Sequence, residues 1–402
     1  MAGISTLATT MEQIGRIKNI QANFSLLSFQ LSTNKKTDKF SGLGSDVLIS
    51  KRARADFKSL EVYDTNITLA NNRINQSLAA LQEFRKQSEN LRAFLINFSK
   101  SSPHQEGEYI RQDDPLTPGV ETTPIGLSSG NMDIDFVTMT NFARNIEGFM
   151  QDLINRRDGD RYLFAGADSL NKPLIDTGSL DTAMSNAILN WKNEGTPTSI
   201  STADFIADLT QRQATGANPD AFTDTVVGFN SALASGNSGN VFARINDQTE
   251  VNYTSLGNSQ GLRDIMVAVS FLKNPNLPPI ADVYNEPYTF GDMPVENGAP
   301  GATLEEQLDN FLEVFQVVTN MVSNALKEID KEIQQLEMAR VRLNDAANFN
   351  RDQRALAKDV ISDVEDVDLN EVAVKINALQ VSLEASYRVT ALTQQLSLVN
   401  FI

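Results

Sequence analysis

Proline is confined to the middle of this 402-residue chain: the first is Pro103 and the last Pro300. Glycine thins out in the same places, with none between Gly44 and Gly107 and none after Gly301. Inside a helix, glycine costs about 1 kcal/mol and proline about 3 kcal/mol relative to alanine. Both ends are therefore free to run as long helices, and the middle is not.

Apolar spacing agrees. In the first arm Leu7, Met11, Ile14, Ile17, Ile20, Phe24, Leu27 and Leu31 recur at intervals of three and four, a coiled-coil seam with one slip. It stops at Ser32-Thr33-Asn34-Lys35-Lys36, where Asn34 suits a left-handed residue and the lysines suit a helix carboxyl end. After a loop through Ser41-Gly42-Leu43-Gly44, Ser45 or Asp46 offers an N-cap. A second helix then runs through Phe57, Leu60, Ile67, Ile74, Leu78, Leu81, Leu91, Leu95 and Phe98. At about 1.5 Å per residue it spans roughly 80 Å, too long for a compact core helix.

The last arm opens at Thr303, with Glu306 placed for a capping box. Its seam is Leu304, Leu308, Phe311, Phe315, Val318, Val322, Ala325 and Ile329, followed by Ile333, Leu336 and Leu343. A final helix carries Leu369, Val372, Ile376, Leu379 and Leu383, with Leu392, Leu396 and Val399 widening the stripe. Leu396, Leu398, Val399, Phe401 and Ile402 make the end strongly apolar, so it is expected to be covered.

Between the arms, Phe136, Met139, Phe142, Ile146, Phe149 and Leu153 form a third helical stripe, and Asp158-Gly159 turns the chain into a short strand at Arg161–Gly166. Strands at 241–245 and 250–254 flank Asn246-Asp247 as a hairpin, residues 257–272 form a short helix, and 274–300, with six prolines, form an irregular connector. The fold class is mainly α with a smaller β-containing middle domain, both terminal regions forming a long antiparallel coiled-coil-like rod. Expected divisions are 1–44, an assembly helix and loop; 45–165, long helices and a hairpin; 166–300, a variable outward-facing domain; and 301–402, the returning helices.

Charge is segregated. Residues 1–102 carry net +6, 103–301 net −15 and 302–402 net −8, within a total of −17. Oppositely charged arms are expected to pack together, and the acidity argues against nucleic acid as a partner. Lys51-Arg52-Ala53-Arg54, the compact basic cluster, reads as a solvated helix face, and Asp363–Asp368 as an acidic N-terminal turn. With no cysteine and only His104, thiol catalysis, disulfides, zinc fingers and two-histidine metal sites are excluded. Asp158 with Asp160 lacks a longer acidic loop for a cation, and Gly42-Leu43-Gly44 has no preceding strand for a dinucleotide. No enzyme, cofactor or metal is expected. No export signal and no run of 18 apolar residues is visible, so no membrane insertion is expected either.

Leu31-Ser32-Thr33-Asn34-Lys35-Lys36-Thr37 is similar to the Leu-Ser-Thr-Gly-Lys-Lys/Arg-Ile stretch of the bacterial flagellin family, with Asn34 for glycine and Thr37 for the apolar residue. The polar loop of that family after this stretch has no counterpart here. Gly159-Asp160-Arg161-Tyr162-Leu163-Phe164-Ala165-Gly166 and the ending Leu396-Ser397-Leu398-Val399-Asn400-Phe401-Ile402 resemble the branch of the family that joins hook to filament. The resemblance implies a structural, non-enzymatic protein of the extracellular flagellum, exported by the type III route without a cleaved signal. Implied partners are other copies of itself, a hook-associated protein on the hook side, flagellin on the filament side and an export chaperone in the cytosol. The assembly contacts would fall on Leu7, Ile14, Ile17, Phe24, Leu31, Leu383, Leu392, Leu396, Leu398, Val399, Phe401 and Ile402. A filament-forming flagellin, a non-flagellar coiled-coil scaffold and a monomeric helical bundle remain open as alternatives.

Overall fold

A computed structural model describes residues 2–101, 110–113, 121–125, 132–192, 200–216, 220–277, 299–301 and 304–399. The protein is mainly α, with short strands in its middle. Residues 1–65 and 346–402 form one compact unit, and residues 66–345 form a second.

In the first unit, α1 (Ala2–Thr33) ends where Asn34 takes φ +57°, the left-handed turn expected of it. A 3-10 segment, Phe40–Asp46, follows and leads directly into α2 (Val47–Ser101). Late in the chain, α9 (Leu304–Glu365) gives way to α10 (Leu369–Val399), whose start is capped by Asp368: its carboxylate accepts from the Asn370 N–H at 2.8 Å. Helices α1 and α10 pack on each other. Their order is antiparallel, because the end of α1 meets the start of α10 while Gln21 Nε2 donates to Tyr387 Oη, at 3.3 Å, further along both.

In the second unit, α2 and α9 again run antiparallel. Asn71 Nδ2 donates to Asn344 at 3.0 Å, Arg340 Nη1 to Asn75 at 3.3 Å, and Arg85 Nε to Asp330 at 2.5 Å. Burial follows the apolar spacing that specifies the helices: Ile67, Ile74, Leu81, Phe84, Leu91 and Leu95 face the core from α2, and Phe311, Phe315, Val318, Val322, Ala325 and Ile329 face it from α9. Helix α3 (Met132–Ile154) presents Met139, Ala143, Ile146, Met150 and Leu153; Phe149, expected on that stripe, points outward instead, one position away from buried Met150. The expected cap Thr303 and the loop residue His104 lie outside the described residues.

Among the described residues the strands form three separate two-stranded antiparallel pairs. β1 (Ile110–Asp113) pairs with β2 (Glu121–Ile125), and β3 (Arg157–Asp158) with β4 (Arg161–Tyr162), around Gly159 at φ +60°. β5 (Phe242–Arg244) pairs with β6 (Glu250–Asn252). In the last turn the Asn246 side chain accepts from the Gln248 and Thr249 N–H groups at 2.9 and 2.7 Å, the local bonding that makes asparagine a turn residue.

The turn-rich middle also contains helices beyond those expected: α4 (Gly178–Trp191), with Leu180, Met184, Ile188 and Trp191 buried on one stripe, α5 (Thr202–Thr210), α6 (Asp224–Val227) and α7 (Ser231–Ala234). Helices α4 and α6 pack on α8 (Gln260–Lys273), α5 reaches it through Phe205 and α7 packs on α6; every residue of α8 from Gly261 to Leu272 is buried. Trp191 stacks on Phe205 at 5.0 Å, and Phe205 tilts against Phe271 at 6.0 Å. Arg263, fully buried on α8, donates to the carbonyls of Gln211 and Phe222 and to Asp264, so a charge that burial disfavours is answered on several sides. Among the described residues no helix is long and apolar enough to cross a membrane, and no acidic or histidine cluster could hold a metal ion.

Candidate functional site

The site begins with the reversal after α1. Asn34 in the left-handed conformation swings the next two residues out of the helix, where they meet the end of α9. There the backbone pairs: the Lys36 N–H donates to the Glu365 carbonyl at 2.7 Å, and the Val367 N–H to the Asn34 carbonyl at 3.3 Å. Lys36 Nζ also donates to the carbonyls of Asp363 and Val364, both at 2.8 Å. A helix ends with unpaired carbonyls and a partial negative charge, and a lysine from another segment answers both. Lys36 thus caps α9, not the end of α1 to which its position in the sequence assigned it.

Charge completes the junction. Lys35 Nζ lies 2.5 Å from Asp366 Oδ1 and 3.4 Å from Glu365 Oε2. From α2, Arg54 donates Nε to Glu365 Oε1 at 2.6 Å and Nη2 to Oε2, a two-pronged pair, and Ser50 Oγ donates to Oε1 at 2.6 Å. The Glu365 side chain is 7% exposed. Its hydrogen bonds from Arg54, opposed by burial and reinforced by Ser50 and Lys35, hold its carboxyl down to about 2 from the ordinary 4.5. Asp366 is held low by Lys35, and Lys35 and Arg54 are raised in return. Phe40, from the 3-10 segment, lies with its ring centroid 5.7 Å from both Lys51 Nζ and the Arg54 guanidinium carbon. Below it Arg354 Nη1 meets Asp64 at 3.1 Å.

Two expectations are corrected here. Arg54 is not simply one member of a solvated basic face, and Glu365 and Asp366 do more than open a helix. Each has a partner that lies more than three hundred residues away in sequence. The signal was present as two basic clusters and one acidic cluster, but charge alone does not pair them.

Of the twelve residues expected at assembly contacts, Ile17, Phe24 and Leu383 are partly buried, whereas Ile14, Leu31 and Leu392 stay 49%, 47% and 58% exposed. The side chains of Leu7, Leu396, Leu398 and Val399 lie outside the described set, as do residues Phe401 and Ile402 altogether. Exposure is not confined to those positions: Met11 and Leu26 on α1, and Val374, Val381 and Val389 on α10, are also open. No side chain described on α1 is buried, and on α10 only Val372 is, among the described residues. Pairing the two helices therefore covers one side of each and leaves a second apolar side uncovered.

Residues 319–402 match the family model of the bacterial flagellin C-terminal helical region. The match takes in much of α9, the Glu365–Asp366 junction and all of α10, and it supports a structural protein of the bacterial flagellin family. No curated protein matches the chain.

Proposed function

We propose that this protein forms the junction layer between flagellar hook and filament, the role of hook-associated protein 3. The observation that carries an assembly role is the open apolar surface of α1 and α10. Two helices that already pair yet still expose Met11, Ile14, Val374, Val381 and Leu392 are built for further helices, and heterologous contacts between copies generate rings or open tubes. Leu7, Ile14, Leu31, Leu392 and the apolar end through Ile402 are the contacts in this reading. The junction role, as distinct from the filament role, is supported by Tyr162-Leu163-Phe164-Ala165-Gly166 and by the ending Leu396–Ile402. Other copies of the chain, a hook-associated protein and flagellin are its neighbours in the flagellum, and a chaperone holds the terminal helices before export.

Deletion tests this directly. A strain lacking the protein should build hooks without filaments and release flagellin into the medium, as seen by electron microscopy and by analysis of the culture fluid. A filament-forming flagellin is the competing reading, and the match over residues 319–402 is compatible with either. Filaments lost without flagellin in the medium would select that alternative.

A further inference from the structure

Outside the terminal junction, in the second unit, an open groove of about 270 Å³ separates Asn252, Tyr253 and Thr254, at the end of β6, from Gln335, Met338 and Arg342 on α9. That volume is at the small end for ligand pockets, roughly 300–1,000 Å³. Among the described residues no aspartate or glutamate lines it, in a chain of net charge −17. Arg342 is exposed and has no carboxylate partner among the described residues, whereas its neighbour Arg340 is paired with Glu337. Burial pushes the Tyr253 phenol up, while the charges of Arg73 and Arg161 pull it down and that of Asp158 adds to the rise. Arg73 is 8% exposed and donates to the carbonyls of Tyr162 and Leu163 at 2.7 and 3.2 Å, with the Asp158 carboxylate in its field. Asp158 itself accepts from Gln76 at 2.9 Å.

The floor is different in character. Leu336 and Ala339 are buried beneath it, and Met338 lies open at its edge, a polarizable side chain that adapts to ligand shape. Asn252 Oδ1 is occupied by the Thr254 N–H and hydroxyl at 2.9 and 2.6 Å, which leaves its amide NH₂ as a donor. An exposed arginine and an amide donor at the rim, over an apolar floor, match a particular kind of ligand. We propose that the groove binds a small amphiphilic carboxylate, its anion on Arg342 and its apolar body on Met338 and Leu336.

Phenylacetate titrated into the full-length protein and followed by NMR is the test, with phenylacetamide as its neutral isostere and inorganic phosphate as a bare anion. Phenylacetate should saturate a single site. Phenylacetamide and phosphate should each bind at least ten-fold more weakly, and Arg342→Gln should weaken phenylacetate at least ten-fold with the far-UV spectrum unchanged. Arg342→Lys should recover part of the loss. Failure of phenylacetate to saturate, equal binding of either control, or an unaltered affinity in Arg342→Gln would overturn the proposal.

Discussion

Glu365 gathers three side chains, Lys35 from the turn after α1 and Ser50 and Arg54 from α2, and its protonation should be felt by all of them. Its carboxyl is depressed, so its stabilising contribution is complete above about 4.5 and is lost as pH falls from there to about 2. Arg54 is half exposed, and solvent screening reduces the contribution to about 1–2 kcal/mol. Glu365→Gln should lower stability by that amount at pH 7 and flatten the melting curve's pH dependence between 4.5 and 2, as followed by circular dichroism. Glycines make a second contrast. Gly228 has φ +100°, and a Cβ there would overlap the Asp176 carbonyl oxygen, whereas Gly159 at φ +60° faces open space. Gly159→Ala should cost about 1 kcal/mol, the penalty of left-handed backbone, and Gly228→Ala about 3 kcal/mol or more in denaturant unfolding. Asn34 was legible beforehand because left-handed preference is a property of one residue. The partners of Glu365 were not, because an ion pair is a property of two segments whose meeting the local pattern does not encode.

Helices differ in how much of them the core holds. Helix α8 is enclosed from Gly261 to Leu272, while the described part of α1 buries nothing fully. Phe271→Ala should therefore cost about 3–5 kcal/mol in thermal or denaturant melts. Leu392→Ala, at an exposed position, should change monomer stability by less than about 0.5 kcal/mol. In hydrogen exchange, α1 and α10 should lose protection well before α8 does. The long helices could be read from sequence because heptad spacing persists over many turns without proline, and the hairpin at 242–252 because Asn246-Asp247 sits between β-rich runs. Helix α4 has such a stripe in Leu180, Met184, Ile188 and Trp191 and goes unread inside a turn-rich stretch, whereas α5 to α7 run nine residues or fewer, too short for a stripe to repeat.

At the scale of the whole molecule, self-assembly and chain order become the relevant quantities. Replacing Val374, Val381 and Leu392 together by serine removes exposed apolar side chains without touching buried Val372. The monomer should keep its helical spectrum, while incorporation into flagella, measured by immunogold labelling, should drop at least ten-fold. The pairing of α1 with α10 also has a consequence in time. The two partners are separated by about 340 residues, so α1 leaves the ribosome long before its mate exists. At about 5–20 residues per second, that interval is roughly 20–70 s. Throughout it Ile17, Phe24 and Leu27 have no intramolecular cover. During synthesis this helix is available to any apolar surface it meets, and what it meets first decides whether the nascent chain remains usable.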